Sequence, residues 1–259
     1  MKTLKIKLFI VTSFILVSLG ANAQLTGRQI VQKAYNLPSG NDRTSQLTMT
    51  LVNKSGQTRV RKIQQYTKDF GKVEKNIMFF IAPADVKNTS FMSWSYDDDN
   101  KPDDQWIYLP AIKKVKRISS DSKSDYFMGS DFTYDDLGDR KLDADVHKLL
   151  RTEKINGHDC YVVESKSKDE DYMYSKTITW IRKDNFVGMK KEFYDEDGEL
   201  LKVLTIKEVK KISGFWVITH SEMKNIQKNH KTIIQLSNIK INTGVPASKF
   251  TERMMMRGV

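Results

Sequence analysis

The stretch at residues 174–225, "YSKTITWIRKDNFVGMKKEFYDEDGELLKVLTIKEVKKISGFWVITHSEMKN", decides the fold. Its runs of Ile, Val, Thr and aromatic residues are separated by the turn dipeptides Asp184-Asn185, Asp197-Gly198 and Ser213-Gly214. Such runs, bounded by such dipeptides, are typical of antiparallel hairpins. We therefore predict a series of consecutive strands here. A further run, "KTIIQLSNIKINT", closes the predicted sheet.

The first half of the chain has the same pattern. "SQLTMTLVN" at residues 45–53 places Leu47, Met49 and Leu51 on one face of a strand, because successive side chains alternate between the two faces. A turn at residues 53–56 leads into a partner strand. The two halves together predict a large antiparallel sheet.

Helical signal is scarce. The clearest case is "LTGRQIVQKAYN" at residues 25–36, in which Thr26 and Gln29 form a capping box. With few helices to cover its apolar face, an open sheet must curl, pair with a second sheet or carry lid segments. We predict a mainly β protein with few helices (α+β), in which a curved antiparallel sheet and its lid segments enclose an apolar cavity.

Residues 1–23 have the pattern of a cleaved signal peptide. Three lysines precede a short apolar run, and Ala21-Asn22-Ala23 supplies the small residues of a cleavage site. The alternative is an N-terminal membrane anchor, but the run is short for a span. We predict a single mature domain at residues 24–259 in the periplasm. It is not expected to be lipid-anchored, because Gln24 stands where a lipoprotein has cysteine.

The chain is basic, with a formal net charge of +11. Its main basic cluster, "KKVKR" at residues 113–117, is interpreted as a solvated strand face. The alternatives are a contact with anionic lipid head groups or with an acidic partner. We predict no nucleic-acid partner, since secreted proteins rarely meet nucleic acid.

The sequence lacks the common catalytic and metal-binding motifs. It has no G-x-S-x-G elbow and no H-E-x-x-H pair, and its four histidines are scattered. Acidic stretches at residues 96–104 and 194–199 are typical of hairpin turns, with weak calcium binding as the alternative. The single cysteine, Cys160, lies in an apolar run and is expected to be buried and inert. We predict no catalytic residue, no cofactor and no metal.

The segment "FMGSDFTYDDL" at residues 127–137 mixes acidic and apolar residues. Gly129 is predicted to bend the backbone, and Ser130 and Asp131 to fix the loop. The alternative is a hydrolase or esterase of acylated substrates with Ser130 or Asp131 as its reactive group. That alternative requires a serine, a histidine and an acid to meet in space.

This segment and "QWIYLPAIKKVKRIS" at residues 105–119 resemble the signature of the outer-membrane lipoprotein-sorting, LolA-like family. The resemblance implies an incomplete barrel with a helical lid over an apolar cavity that binds the acyl chains of lipids or lipoproteins. It also implies a branch that works beside resistance-nodulation-division (RND, MMPL-type) exporters of the inner membrane.

We therefore predict a non-catalytic periplasmic carrier, which takes lipid or acylated protein from such an exporter toward the outer membrane and contacts membranes transiently. A cargo-free accessory subunit of an export complex is a further alternative, with an interior filled by its own side chains. The predicted cavity residues are aromatic, aliphatic and thioether side chains: Met49, Leu51, Phe80, Phe91, Trp94, Trp106, Tyr108, Phe127, Met128, Phe132 and Trp180.

Overall fold

One antiparallel sheet of 13 strands dominates the protein, for which a computed structural model describes residues 24–259. The predicted signal peptide, residues 1–23, lies outside the described residues. The strands are β1 (Asp42–Val52), β2 (Thr58–Asp69), β3 (Val73–Ala82), β4 (Ser90–Tyr96), β5 (Asp104–Leu109), β6 (Lys114–Arg117), β7 (Asp145–Ile155), β8 (His158–Ser167), β9 (Lys176–Arg182), β10 (Gly188–Tyr194), β11 (Leu200–Ile212), β12 (Phe215–Asn225) and β13 (His230–Ile241).

The sheet consists of two meanders that meet in its middle. Its order is β6-β5-β4-β3-β2-β1-β13-β12-β11-β10-β9-β8-β7, so the first strand pairs with the last, with Met49 opposite Ile234. The strands β6 and β7 are left at the two free edges, and the curved sheet does not close into a barrel. The predicted fold class is confirmed.

Helices are few, as predicted. The described part of the chain contains two α-helices, α1 (Gly27–Tyr35) and α2 (Glu252–Arg257). Helix α1 begins with the predicted capping box, since the Thr26 hydroxyl accepts from Gln29 N at 3.3 Å and Gln29 Oε1 accepts from Thr26 N at 2.9 Å. None of the helices among residues 24–259 has the length and apolar character needed to cross a membrane. Six short 3-10 helices complete the structure: Pro110–Ile112, Ser120–Ser124, Phe127–Gly129, Asp135–Leu137, Leu142–Ala144 and Ala247–Lys249.

Residues 118–144 connect the edge strands β6 and β7, and we call them the central segment. They lie across one face of the sheet, which we call the inner face; the opposite face is the outer face. The central segment contacts β3 and β4 through Phe127, β13 through Asp131 and β11 through Asp136. It therefore spans both meanders.

Helix α1 covers the inner face of the second meander. Ile30 is fully buried against Val163 and Ile181. The first helical residue is glycine because a Cβ on Gly27 would lie only 2.7 Å from Leu149 N of β7. The helix thus packs directly on the strand backbone. Its last residue, Tyr35, donates a hydrogen bond to Asp139 of the central segment at 2.7 Å, so the two covering elements are joined.

The outer face of the first meander is covered by α2. Met255 is fully buried there and packs in one cluster with Met92 and Tyr108. The backbone carbonyl of Met255 accepts from the buried Ser90 hydroxyl at 3.0 Å. This short C-terminal helix therefore seals an apolar layer that is separate from the inner face.

Candidate binding site on the inner face

The inner face of the first meander carries a compact apolar cluster. Its strand members are buried side chains of β1 to β4, and a single fully buried ring, Phe127, comes from the central segment. The ring centroid of Phe127 lies 5.1 Å from that of Phe91 and 5.9 Å from that of Phe80. The buried strand residues of the cluster are Leu47, Met49, Leu51, Ile63, Met78, Phe80 and Phe91.

A buried ion pair fixes the central segment to the second meander. Lys202 Nζ lies 2.5 Å from Asp136 Oδ2, and the two side chains are 0% and 6% exposed. The same ammonium donates to the Asp131 carbonyl at 3.2 Å and lies 5.1 Å from the centre of the Tyr174 ring and 5.0 Å from that of Phe193. Burial lowers the pKa of Lys202, while Asp136 opposes that shift.

Asp131 forms a second attachment, at the sheet centre. Its carboxylate accepts from the Thr232 hydroxyl at 2.7 Å, and His230 Nδ1 lies 2.8 Å from the same oxygen. Its backbone N–H donates to Thr232 Oγ1 at 2.9 Å. A third attachment is the hydrogen bond that Arg61 of β2 donates to the Met128 carbonyl. Polar contacts of the residues that follow Phe127 therefore hold the segment to both meanders.

The local geometry of the segment follows its sequence. Gly129 has φ of +73°, a left-handed conformation that glycine adopts without steric cost. The Ser130 hydroxyl accepts from Phe132 N at 3.2 Å and donates to the Phe132 carbonyl at 3.4 Å, so it closes a local turn. Ser130 therefore makes its side-chain hydrogen bonds within its own loop, whereas His230 contacts Asp131.

A cavity beside this cluster is polar. It measures about 600 Å³ and lies between the inner face of β1 to β4, the end of α1 and the central segment. Tyr35 and Asp139, which are joined by a hydrogen bond, also line this cavity. The lining residues of the strands that carry polar groups are Arg43, Gln65, Thr67, Asp69, Glu74, Asn76, Ser93, Ser95 and Asp97.

The sheet register aligns these polar groups in rows. Arg43 pairs with Thr67, Thr67 with Asn76, Asn76 with Ser93, and Ser93 with Gln105. We call these five residues the polar row; they lie on one face of five adjacent strands. On β3, β4 and β5 the next row toward Phe127 contains Met78, Phe91 and Ile107, of which Met78 and Phe91 belong to the apolar cluster. On β1 and β2 the same row still holds the polar residues Ser45 and Gln65. The inner wall therefore changes from polar to apolar within two residues on β3 and β4, and one row later, at Leu47 and Ile63, on β1 and β2.

A second cavity of about 560 Å³ lies at the other side of the apolar cluster. Arg59, Arg61 and His230 give it a basic wall, and Met128 and Gly129 of the central segment contribute to its lining. The guanidinium of Arg61 also lies 6.0 Å from the centre of the Phe80 ring. The apolar cluster is thus flanked by polar openings on both sides.

The structure divides the predicted cavity residues between the two faces. The predicted strand residues Met49, Leu51, Phe80 and Phe91 are joined on the inner face by Phe127 and Met128. Phe132 is also on this face, packed with Tyr174, Phe193 and Met223.

Four of the predicted cavity residues require correction. Trp94, Trp106 and Tyr108 lie on the outer face in the cluster that α2 covers. Trp180 lies with Cys160 and Val162, on the face opposite to α1. The physical reason is the two-residue alternation of a strand, because β4, β5 and β9 carry apolar residues on both faces and sequence does not show which face is turned inward. The prediction also missed the polar row, whose members come from five separate strands.

Comparison with known proteins places the chain in a family. A family model described as an uncharacterized protein matches residues 72–257. A structure described as an outer membrane lipoprotein-sorting protein domain, from Vibrio parahaemolyticus, is 33% identical with a TM-score of 0.83, over 89% of this chain and 98% of that one. A DUF1329 family protein from Desulfovibrio piger is 30% identical with a TM-score of 0.83, over 88% of this chain and 97% of that one. The chain belongs to the DUF1329 family of LolA-like proteins.

The DUF1329 chain also shares its fold with a more distant structure. A LolA superfamily protein from Nitrosomonas europaea is 21% identical with a TM-score of 0.68, over 89% of this chain and 99% of that one. At this identity the likeness concerns the fold alone. A search of curated proteins gave no match. The predicted resemblance to LolA-like proteins is confirmed.

Proposed function

We propose that this protein is a non-catalytic periplasmic carrier, which encloses acyl chains of lipids or lipoproteins and passes them between an inner-membrane exporter and the outer membrane. The observation that carries the proposal is the position of Phe127. This fully buried ring fills the apolar cluster of the inner face, yet it belongs to a connecting segment and not to the sheet. A segment that moves away would leave an apolar surface for a chain.

The energetics favour such an exchange. Burying one phenylalanine side chain contributes about 1.5–3 kcal/mol. Burying an acyl chain contributes about 0.8 kcal/mol per methylene, or roughly 10 kcal/mol for an ordinary chain before other costs. The free energy gained by burying an acyl chain therefore offsets the loss of the Phe127 contacts. The rest of that free energy is available to break polar attachments of the central segment. Release into water is unfavourable for the same reason, so cargo leaves by transfer to a membrane or to another apolar site.

The relatives support the class of cargo and the compartment. One similar structure is described as an outer membrane lipoprotein-sorting protein domain, which suits a periplasmic carrier. The N-terminal sequence pattern of residues 1–23 is consistent with export. The exporter that supplies the cargo is proposed to be of the RND (MMPL) type. The basic edge strand β6 offers a surface for transient contact with anionic lipid.

A cargo-free accessory subunit of an export complex is the second candidate. It is favoured by the same apolar cluster, because Phe127 already fills it. The two candidates differ in whether the central segment leaves the inner face when acyl chains are present.

The test is native mass spectrometry of the mature protein purified from the periplasm, followed by lipid extraction. Co-purifying acyl species, or binding of an added fatty acid, is expected for the carrier. Phe132→Asp places a charge on the inner face and should abolish the binding. The matched control is Ile218→Asp, at a side chain that is 38% exposed. A wild-type protein that stays empty when it is offered lipids would reject the carrier in favour of the accessory subunit.

A further inference from the structure

The polar row contains an arginine with a buried nitrogen that has no hydrogen-bond partner, and Glu74 of the same cavity is the carboxylate that attracts its charge. Arg43 Nε is buried and has no hydrogen-bond partner among residues 24–259, and no carboxylate of the described chain lies within ion-pair distance of its guanidinium. An unsatisfied buried donor costs about 1–3 kcal/mol, and more for a charged group. Burial also lowers the pKa of this guanidinium. A cost of this kind on the wall of a 600 Å³ cavity indicates a place for an anionic ligand group.

Carboxylates face Arg43 across the same cavity. Glu74 lies on β3, one row beyond the polar row, and makes no ion pair among the described residues. Asp69, Asp97 and Asp139 also line the cavity. Acidic groups therefore outnumber the one arginine, and a purely anionic ligand would be repelled by most of the wall. A ligand with an anionic group near Arg43 and a cationic group near Glu74 satisfies both.

The apolar rows begin directly beside the polar row. Adjacent rows on one face of a strand are about 7 Å apart, since each residue advances the strand by about 3.4 Å. Met78 and Phe91 stand one row from Asn76 and Ser93 and belong to the apolar cluster around Phe127. A head group bound at the polar row would therefore direct an attached chain onto the cluster.

We infer that the polar cavity binds the zwitterionic head group of an amphiphile, with a phosphate-like anion at Arg43 and an ammonium at Glu74, while its acyl chain lies along the apolar rows. This inference rests on the proposed function and adds the head-group class to it. The hydroxyls and amide of the polar row, on Thr67, Asn76 and Ser93, supply neutral hydrogen-bonding groups beside the two charges.

The experiment compares two lysolipids with the same acyl chain. One carries a phosphoethanolamine head group and the other phosphoglycerol, and each displaces a fluorescent fatty acid from the mature protein. The wild type is expected to bind the ethanolamine lipid about tenfold more tightly, which corresponds to about 1.4 kcal/mol. Glu74→Gln should remove this preference, and Arg43→Gln should weaken both lipids about tenfold. Glu196→Gln, in an exposed turn, is the matched control and should behave as the wild type.

The outcomes separate the two proposals. Equal binding of both lysolipids by the wild type, unchanged in both cavity variants, would overturn the head-group inference and leave the acyl carrier intact. Binding of neither lysolipid nor the fatty acid would overturn both. Urea unfolding of each variant checks folding. Arg43→Gln should be about as stable as the wild type, because it removes a buried donor without a partner, so a loss of binding without a loss of stability identifies a binding role.

Discussion

Lys202 of β11 and Asp136 of the central segment form a buried ion pair that joins the covering segment to the sheet. Its nitrogen–oxygen distance is 2.5 Å, and the ammonium lies among the aromatic rings of Tyr126, Tyr174 and Phe193. Removing one partner from such a pair leaves an uncompensated charge in a dry environment. The pair is therefore the most sensitive attachment of the central segment.

Asp136→Asn is predicted to destabilise the protein by about 3–5 kcal/mol, as expected when one member of a buried pair is lost. Replacing both partners, with Lys202→Met and Asp136→Leu, should recover most of this loss, because no charge then remains buried. Urea unfolding followed by circular dichroism measures both effects. The control is Asp143→Asn in the exposed pair with Arg28, which should change stability little. Equal effects of the buried and exposed substitutions would contradict this interpretation.

Phe127→Ala is predicted to destabilise the empty protein and to strengthen acyl binding. Removal of a fully buried phenylalanine typically costs about 3–5 kcal/mol. The space that it leaves lies against Phe80 and Phe91, where the proposed chain would bind. Displacement of a fluorescent fatty acid measures affinity, and Phe70→Ala, at a side chain that is 37% exposed, is the control. Destabilisation without any gain in affinity would favour the cargo-free alternative.

Local sequence patterns predicted the local structure well. The capping box of Thr26 and Gln29 and the common face of Leu47, Met49 and Leu51 both depend on residues close in sequence. The pairing of β1 with β13 has no local signal, since the two strands lie at opposite ends of the chain.

The candidate site was predicted only in part for a related reason. The resemblance covers the segments of both Phe127 and Trp106, yet Phe127 lies on the inner face and Trp106 on the outer one. The strands of Trp94 and Trp106 carry apolar residues on both faces, so sequence does not show which face is turned inward. The polar row exists only after the register of five strands is known, because each strand contributes one member. An isolated Arg43 or Asn76 in the sequence resembles any surface residue of a strand.

Charge reversal on the edge strand β6 is predicted to weaken membrane contact. Lys113, Lys114 and Lys116 are exposed beside Ile112, whose side chain is 47% exposed. Each basic residue near an anionic surface contributes about 1 kcal/mol of attraction. Replacing all three lysines by glutamate should reduce co-sedimentation with phosphatidylglycerol vesicles and leave binding to neutral vesicles unchanged. The control replaces Lys207, Lys210 and Lys211 of β11; an equal loss with these variants would indicate a net-charge effect only.

The preference for a zwitterionic amphiphile is predicted to depend on pH. Desolvation raises the pKa of Glu74 above its ordinary value of 4.5, although Arg43 opposes the shift. The carboxylate attracts an ammonium only when it is ionised, so the preference is complete above the raised pKa and is lost as the pH falls through it. The titratable and charged groups that face Glu74 across the cavity are Tyr35, Arg43, Asp69, Asp97, Asp136 and Asp139.

Desolvation also raises the pKa of Asp139. Asp139 therefore also loses its negative charge as the pH falls, which further weakens the attraction for an ammonium. The measurement is the ratio of the affinities for the two lysolipids, followed from pH 7 down to the pH at which the two affinities become equal. Glu74→Gln should give a ratio that is nearly flat with pH. A ratio equally pH-dependent in that variant would assign the effect to another group.

The central segment starts at one free edge of the sheet and ends at the other, since it connects β6 to β7. It is therefore a strap across the gap of the unclosed barrel, and its length and path limit how far the two edges separate. A segment that is lifted from the inner face is no longer held along the sheet, so it would allow a larger distance between β6 and β7. In the proposed carrier, an acyl chain that lifts the segment from the inner face would therefore also change how far the two edges of the sheet separate.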